Sequence, residues 1–231
     1  MISHVVTDHP HFRWTRPVRQ ARSQETLERL LDSAESLLAK KGFEGITVAE
    51  IARRAGASVG ALYSRFRGKD AVLQCLLDRF VAEARATTSE TLDVERWQGA
   101  STEEIVTEFV SFLVEIHRTR VGLLRELVAR AHSAAPVIER KEGLIQHIGD
   151  RLSALLLVRS DEIAHPDPAY AVSFGVRLVL GCLEQAILSN DSDTYYGLPA
   201  SDERLAAELT RTYLSYLGVK RGSDVAARPI S

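Results

Sequence analysis

The chain has 231 residues, of which 45% are hydrophobic and 26% charged, and its formal net charge is −2. This composition is typical of soluble globular proteins and excludes a wholly disordered chain. Two cysteines are too few for a disulfide framework, so we expect a reduced protein of the cytoplasm. No segment has the pattern of a secretory signal or a membrane span, and no membrane partner is expected.

The charge is unevenly distributed along the chain. Residues 1–85 contain 14 Lys and Arg against 10 Asp and Glu, whereas residues 86–231 contain 15 against 21. A basic N-terminal part followed by an acidic remainder is weakly indicative of contact with nucleic acid.

Residues 1–22 are interpreted as a flexible basic arm, with an arginine at every third position: Arg13, Arg16, Arg19 and Arg22. A solvated tail is favoured, and the alternative is an arm that follows the DNA backbone or minor groove. His9-Pro10-His11 lacks a third ligand, so no metal site is expected there, and no cofactor is expected anywhere in the chain.

Leucines spaced three and four residues apart predict an amphipathic helix that starts near Leu27 and ends before Gly42. Thr47 and Glu50 form a capping box, which predicts the start of a second, short helix. A short third helix is predicted from Ser58 to about Phe66, and a fourth helix is predicted from Lys69 onward.

The remaining chain also has helical periodicity. A polar stretch from about 87 to 100 is interpreted as a domain junction. Further helices are predicted at about 102–118, 121–132, 137–158, 167–190 and 202–217. The fold class is therefore all-α, with a helical domain at 23–85, a larger helical domain at 86–219 and a flexible tail at 220–231.

The two short helices on either side of Gly56 indicate a helix-turn-helix, in which the second helix enters the DNA major groove. Leu62 lies on the inward face of that helix, which leaves Val59 and Tyr63 on its outer face. Gly60 costs roughly 1 kcal/mol inside a helix, which is understandable if another surface approaches the backbone closely. Lys69 places a positive charge at the start of a helix, where the helix dipole is also positive. A bound phosphate would compensate this repulsion, and the helix start at Thr47 could bind a phosphate in the same way.

The segment Gly56-Ala57-Ser58-Val59-Gly60 also matches the G-x-S-x-G pattern of hydrolase nucleophiles. That pattern requires a strand before the serine, and a capped helix precedes it in this chain. The match is therefore interpreted as coincidence, and the chain is expected not to be an enzyme.

The segment from Ile46 to Asp70 closely resembles the TetR family of transcriptional regulators, through the pattern T-V-x-x-I-A-x-x-A-G-x-S-x-G-x-L-Y-x-x-F-x-x-K-[DE]. The resemblance covers about residues 24–83. It implies a three-helix DNA-binding domain at 23–85, a divergent ligand-binding and dimerisation domain at 86–219, and homodimers on palindromic double-stranded operators. The positions that correspond to DNA contacts in the family are Thr47, Ser58, Val59, Gly60, Ala61, Tyr63, Arg65 and Lys69.

Within that set, the family pattern places Tyr63 and Lys69 near phosphates. Arg65 stands where the family often has histidine, so its role is less defined. Val59 cannot donate a hydrogen bond, and any base contact it makes would be apolar, such as one to a thymine methyl group.

The predicted helix at 167–190 is apolar nearly all round and must be covered on two sides. The resemblance implies that it pairs with the last helix in a four-helix dimer interface, and the alternative is that both helices are internal core. The residues assigned to the interface are Phe174, Leu178, Gly181, Cys182, Leu205, Leu209 and Tyr213.

Polar residues among the apolar helices are candidates for ligand contact. Arg177 and Glu184 share one helix face and could anchor a ligand, form a dimer ion pair or lie exposed. His117, His132 and His147 are further candidates, and each could equally be satisfied within the fold. Of these, we predict ligand contacts for His117, His147, Arg177 and Glu184, around an unidentified, largely apolar small molecule.

These observations predict a dimeric repressor that a ligand releases from its operator. The alternative is an all-α ligand-binding or scaffold protein that does not read a DNA sequence.

Overall fold

The computed structural model describes residues 21–131, 134–188, 194–195, 198–199 and 201–219. Most of the predicted arm, including His9-Pro10-His11 and three of its four arginines, lies outside the described residues, as do His132 and the predicted tail. Arg22 belongs to the first helix rather than to an arm, because that helix already includes Ala21.

The predicted all-α class is confirmed. The described residues are helical apart from loops and one antiparallel pair of two-residue strands, β1 at Thr194–Tyr195 and β2 at Leu198–Pro199. The helices are α1 Ala21–Lys41, α2 Val48–Arg54, α3 Val59–Tyr63, α4 Lys69–Thr91, α5 Thr102–Thr119, α6 Val121–Arg130, α7 Ala135–Leu156, α8 Pro168–Leu188 and α9 Asp202–Leu217. A short 3-10 helix, Leu157–Glu162, follows α7 and replaces the last turn of the helix predicted to end near 158.

The chain folds as two compact units. The first contains the described residues of 21–84 together with Gly122–Arg140, and the second contains Arg85–Val121 and the described residues from Lys141 onward. The division of the chain into functional domains at 23–85 and 86–219 stays a prediction. Residues 122–140, which that prediction places in the second domain, pack with the first unit.

The core of the first unit is built from the apolar faces of α1 to α4. Its wholly buried side chains include Leu27, Leu31, Ile51, Leu62 and Phe66. At the edge of this core the guanidinium of Arg79 contacts carboxylates of α1, at 2.7 Å from Asp32 and 2.8 Å from Glu35. The spacing of the leucines in α1 therefore buries one face and leaves acidic side chains to bind α4.

Helix α6 belongs to the first unit because of close contacts with α1 and α4. A Cβ atom at Gly122 would lie 2.8 Å from the Cα atom of Ala39, so only glycine permits this approach. At the other end of α6, the guanidinium of Arg130 lies 3.3 Å from a carboxylate oxygen of Asp70.

The second unit is a helical bundle in which α9 packs against α5 and α8. Tyr213 of α9 is wholly buried and its hydroxyl donates a 2.7 Å hydrogen bond to the carbonyl of Val172 in α8. Gly175 lies directly against this ring, since a Cβ atom there would come within 1.7 Å of the Tyr213 Cε2 atom.

The predicted junction at 87–100 is wrong in its first part, because α4 continues to Thr91. Thr88 and Leu92 are buried, at positions that continue the inward face of the helix. The loop from 92 to 100 is then held by side chains: Trp97 Nε1 donates to the Thr91 carbonyl at 2.7 Å, and Arg151 Nη2 donates to the Leu92 carbonyl at 3.2 Å.

No helix within the described ranges is both long enough and apolar enough to cross a membrane.

Candidate nucleic-acid interface

Helix α2 begins at a capping box, and a glycine turns the chain between α2 and α3. The predicted capping box at the start of α2 is confirmed, because Thr47 Oγ1 accepts from the Glu50 amide and the Thr47 amide donates to the Glu50 carboxylate. Hydrogen bonds, first from Lys41 and then from Thr47, hold the pKa of Glu50 below its ordinary value. Gly56 has φ +63°, a left-handed conformation that favours glycine, and it turns the chain between the two helices.

Ser58 starts α3 by accepting a 3.0 Å hydrogen bond from the amide of Ala61. Leu62 faces inward and is wholly buried. The helix is shorter than predicted: it ends at Tyr63 rather than near Phe66. Ser64 Oγ donates to the Ala61 carbonyl, which gives that carbonyl a side-chain partner at the helix end.

The outer face of α3 carries two large apolar side chains in contact with solvent. Val59 is 41% exposed and Tyr63 is 49% exposed, and they are four residues apart. Between them, a Cβ atom at Gly60 would meet a single described side-chain atom within 4 Å, Ser58 Oγ at 3.8 Å. The predicted outward orientation of these positions is therefore confirmed, and α3 presents a smooth, partly apolar surface.

Arg65 is folded back onto the end of this helix. Its Nη1 atom donates to the Ala61 carbonyl at 2.8 Å and lies 3.4 Å from Ser64 Oγ. The side chain therefore stabilises the helix end in this structure, and its contact with DNA stays a prediction.

Lys69 is engaged within the protein, where the sequence suggested that a phosphate was needed. Its Nζ atom donates a 2.9 Å hydrogen bond to the carbonyl of Phe43 and lies 4.3 Å from the centre of the Phe43 ring. Arg130 covers the same ring at 4.5 Å. The cation at the start of α4 is thus satisfied by the loop after α1, and its role as a phosphate contact stays a prediction.

An exposed aromatic cluster lies on α8 and α9 in the second unit. The rings of Tyr170 and Phe174 are stacked at 5.9 Å between their centres. Phe174 lies 5.0 Å from Tyr216, which in turn lies 5.0 Å from His165. Tyr170 and Phe174 are among the most exposed apolar side chains of the described residues, and sequence reasoning named only Phe174.

The interface assignments made from sequence divide into two groups. Tyr213 and Leu209 are buried inside their own chain, so the structure gives no support to their assignment, which stays a prediction. The remaining five are at least partly accessible and stay predictions: Phe174, Leu178, Gly181, Cys182 and Leu205.

Within the described residues, the four predicted ligand residues have separate surroundings, and their role in ligand binding stays a prediction. Glu184 is paired with Lys141 at 2.8 Å, and Arg177 is exposed on α8. His147 Nε2 donates to the Arg85 carbonyl at 3.2 Å. His117 donates from Nδ1 to the Leu113 carbonyl at 2.7 Å, and burial lowers its pKa.

Sequence reasoning missed a cavity lined by Trp97, Phe109 and Phe112, because it searched for polar rather than aromatic residues. Within the described part of the chain, no cluster of three or more His, Cys, Asp or Glu side chains could hold a metal ion.

A family model and several curated proteins match the N-terminal region of the chain. Residues 30–76 match the family model described as "Bacterial regulatory proteins, tetR family". The A-factor receptor protein of Streptomyces griseus is 38% identical over 60 residues, which cover 26% of this chain and 22% of the relative. The HTH-type transcriptional regulator SrpR of Pseudomonas putida is 40% identical over 57 residues, which cover 25% of this chain and 27% of the relative. The chain thus spans about a quarter of the length of these curated relatives.

Solved structures share the fold over most of the chain. A transcriptional regulator from Rhodococcus has a TM-score of 0.64 and 24% identity, over 84% of this chain and 99% of its own. PfmR of Thermus thermophilus has a TM-score of 0.60 and 22% identity, over 81% and 97%. FadR of Bacillus subtilis, solved with stearoyl-CoA, has a TM-score of 0.60 and 16% identity, over 82% and 98%. At these identities the similarity establishes the fold.

Proposed function

We propose that this chain is a DNA-binding transcriptional regulator of the TetR family, because residues 30–76 match the model of that family and the same region is 40% identical to a regulator of Pseudomonas putida. It acts in the cytoplasm as a repressor, bound as a homodimer to a palindromic operator. A small, largely apolar molecule binds the second unit and releases the repressor. No enzymatic step is part of this function.

The outer face of α3 is the observation that carries the proposal. A five-residue helix that buries Leu62 and exposes both Val59 and Tyr63 leaves apolar surface in water for no benefit to the fold. A helix-turn-helix uses this helix in the major groove, where Val59 can contact thymine methyl groups and Tyr63 can donate to a phosphate. The open space above Gly60 lets the DNA approach the backbone.

Exposed cations near α3 support contact with the DNA backbone. Arg53 and Arg54 lie at the end of α2, and Arg67 follows α3, all on the surface. Phosphate contacts of this kind set the position of the protein on the duplex, whereas base contacts set its specificity.

The homodimer is supported by the exposed aromatic cluster on α8 and α9. Tyr170 and Phe174 together form an apolar surface that a second copy can cover. Two copies related by a two-fold axis would place two α3 helices one DNA turn apart, about 34–36 Å, on a palindrome. A ligand that changes this spacing would lower operator affinity, and DNA would lower ligand affinity by the same factor.

Selection of a binding site from random duplex DNA tests the proposal. The selected sequence should be palindromic, bind two chains per duplex, and bind at least about a thousandfold more tightly than its scrambled version at equal salt. A ratio near one would instead support the all-α binding or scaffold protein that does not read DNA sequence.

A matched pair of variants tests the part played by α3. Val59→Ala should weaken binding to the selected palindrome by about 1 kcal/mol per half-site, about fivefold, because methyl contacts are lost. Val94→Ala is the control, since Val94 is 45% exposed and lies outside α3. Equal effects of the two substitutions would remove Val59 from the DNA contacts.

A further inference from the structure

A chain of polar contacts joins the end of α1 to the residue that caps α2. Lys41, the last residue of α1, has its Nζ atom 2.6 Å from one carboxylate oxygen of Glu50, Oε1. The other oxygen, Oε2, accepts hydrogen bonds from both the amide and the hydroxyl of Thr47, each at 3.0 Å. Thr47 and Lys41 are exposed, so the Glu50 carboxylate connects these two residues at the surface of the first unit.

The hydroxyl of Thr47 is directed at this carboxylate. Its oxygen accepts from the Glu50 amide at 3.2 Å, and its proton is donated to Oε2. A phosphate oxygen that accepted a hydrogen bond from Thr47 would lie about 2.7 Å from the hydroxyl oxygen. It would therefore lie within about 6 Å of Oε2, whatever its direction. The DNA contact predicted for Thr47 thus brings a second negative charge close to Glu50.

The two negative charges would repel each other at this separation, and Lys41 offsets the repulsion. Its ammonium group contacts the carboxylate directly, so the pair as a whole presents no net charge to the DNA. Hydrogen bonds from Lys41 and Thr47 also lower the pKa of Glu50, so the carboxylate is ionised at neutral pH. Without Lys41, an uncompensated negative charge would stand beside the phosphate.

We propose that Lys41 is a positioning residue of the DNA interface, which offsets the charge of Glu50 and thereby allows Thr47 to contact a phosphate. Lys41 acts through Glu50 and does not itself touch the DNA. This role rests on the function proposed above, since it belongs to the same interface. It accounts for the presence of a carboxylate beside a surface that binds DNA.

Glutamine substitutions at Lys41 and Glu50 form a double-mutant cycle that tests this role, with the full chain, the selected palindrome and its scrambled version at equal salt. Lys41→Gln should weaken binding to the palindrome about three- to tenfold over two half-sites, because an unpaired Glu50 then faces each phosphate. Glu50→Gln keeps a capping box and removes the charge, so its affinity should equal or exceed that of the native chain. The variant with both substitutions should bind within about twofold of Glu50→Gln alone, since no carboxylate remains to be offset.

Lys40→Gln is the matched control. Lys40 precedes Lys41 in α1, is exposed, and forms no ion pair with another described residue. Its substitution removes the same charge from the same turn and should change affinity less than about twofold. Because phosphates are present in every sequence, Lys41→Gln should weaken binding to the palindrome and to its scrambled version by similar factors.

Equal losses from Lys41→Gln in the native chain and in Glu50→Gln would show that Lys41 acts on the DNA directly, and an unchanged affinity would show that it has no role in binding. If Glu50→Gln weakened binding as much as Lys41→Gln, the ion pair would serve the fold alone. Each of these results would overturn the role of Lys41 and leave the preference of the native chain for a palindrome intact. Conversely, a native chain without that preference would refute the proposed function, even if the cycle showed the expected coupling on both duplexes.

Discussion

A substitution at Gly60 should affect folding stability and DNA affinity in opposite directions. Its surroundings leave room for a methyl group, so nothing in the fold requires glycine at this position. Gly60→Ala should therefore raise the free energy of unfolding by about 0.5–1 kcal/mol. The same methyl group would stand between α3 and the DNA, so affinity for the selected palindrome should fall at least tenfold. Urea unfolding and a DNA titration measure the two effects.

Gly149→Ala is the control for this prediction. Gly149 also lies inside a helix, α7, and a Cβ atom there would meet nothing within 4 Å. It should give a similar gain in stability with unchanged DNA affinity. If Gly60→Ala is more stable and binds DNA as well as the native protein, DNA does not approach this part of α3.

Lys69 shows where reasoning from neighbouring residues fails. The sequence places a cation at the start of a helix, where the dipole is unfavourable, and this suggested an external anion. The structure supplies the Phe43 carbonyl and ring, 26 residues earlier in the chain. Such a partner is brought close by the fold and has no signal in the local pattern.

At the scale of helices, the starts of α2, α3 and α9 could be predicted because each depends on adjacent residues. Thr47, Ser58 and Ser201 all cap their helices by accepting from a backbone amide three residues on. The end of α4 could not be predicted, because no glycine or proline marks it and the buried residue Thr88 is polar. The cavity was missed for a related reason, since Trp97 and Phe109 are adjacent only after α4 and α5 have packed.

The contact between α8 and α9 depends on the absence of a side chain at Gly175. Gly175→Ala should lower the free energy of unfolding by about 1–3 kcal/mol, because the new methyl group would overlap the wholly buried Tyr213 ring. The ring has little freedom to move, since its hydroxyl is bonded to the Val172 carbonyl. Urea unfolding at several protein concentrations measures the loss.

Gly181→Ala is the comparison within the same helix. A Cβ atom at Gly181 would meet nothing within 4 Å, and its position is exposed. This substitution should raise stability by up to about 1 kcal/mol through helix propensity alone. Equal losses from both substitutions would show that general crowding along α8, rather than the Tyr213 contact, determines the effect at Gly175.

For the molecule as a whole, stability below neutral pH depends on two kinds of group, glutamates at the protein surface and a buried histidine. Hydrogen bonds from Lys41 and Thr47 lower the pKa of Glu50, and hydrogen bonds from Ser101 lower the pKa of Glu104, so the stability they contribute is lost as pH falls below about 4.5. Burial lowers the pKa of His117, and the unfolded chain therefore binds a proton there at a higher pH than the folded chain. This difference acts as pH falls from about 6.5 toward the lowered value.

His117→Gln should reveal this contribution. The native protein should lose stability as pH falls below about 6.5, by at most about 1.4 kcal/mol per pH unit from this one proton. Glutamine can still donate to the Leu113 carbonyl but does not titrate, so the variant should have a shallower slope between pH 6.5 and 5. The two proteins should have similar unfolding free energies at pH 8, where His117 is neutral in both states. Parallel slopes across the whole range would show that His117 protonation does not govern the acid sensitivity of the fold.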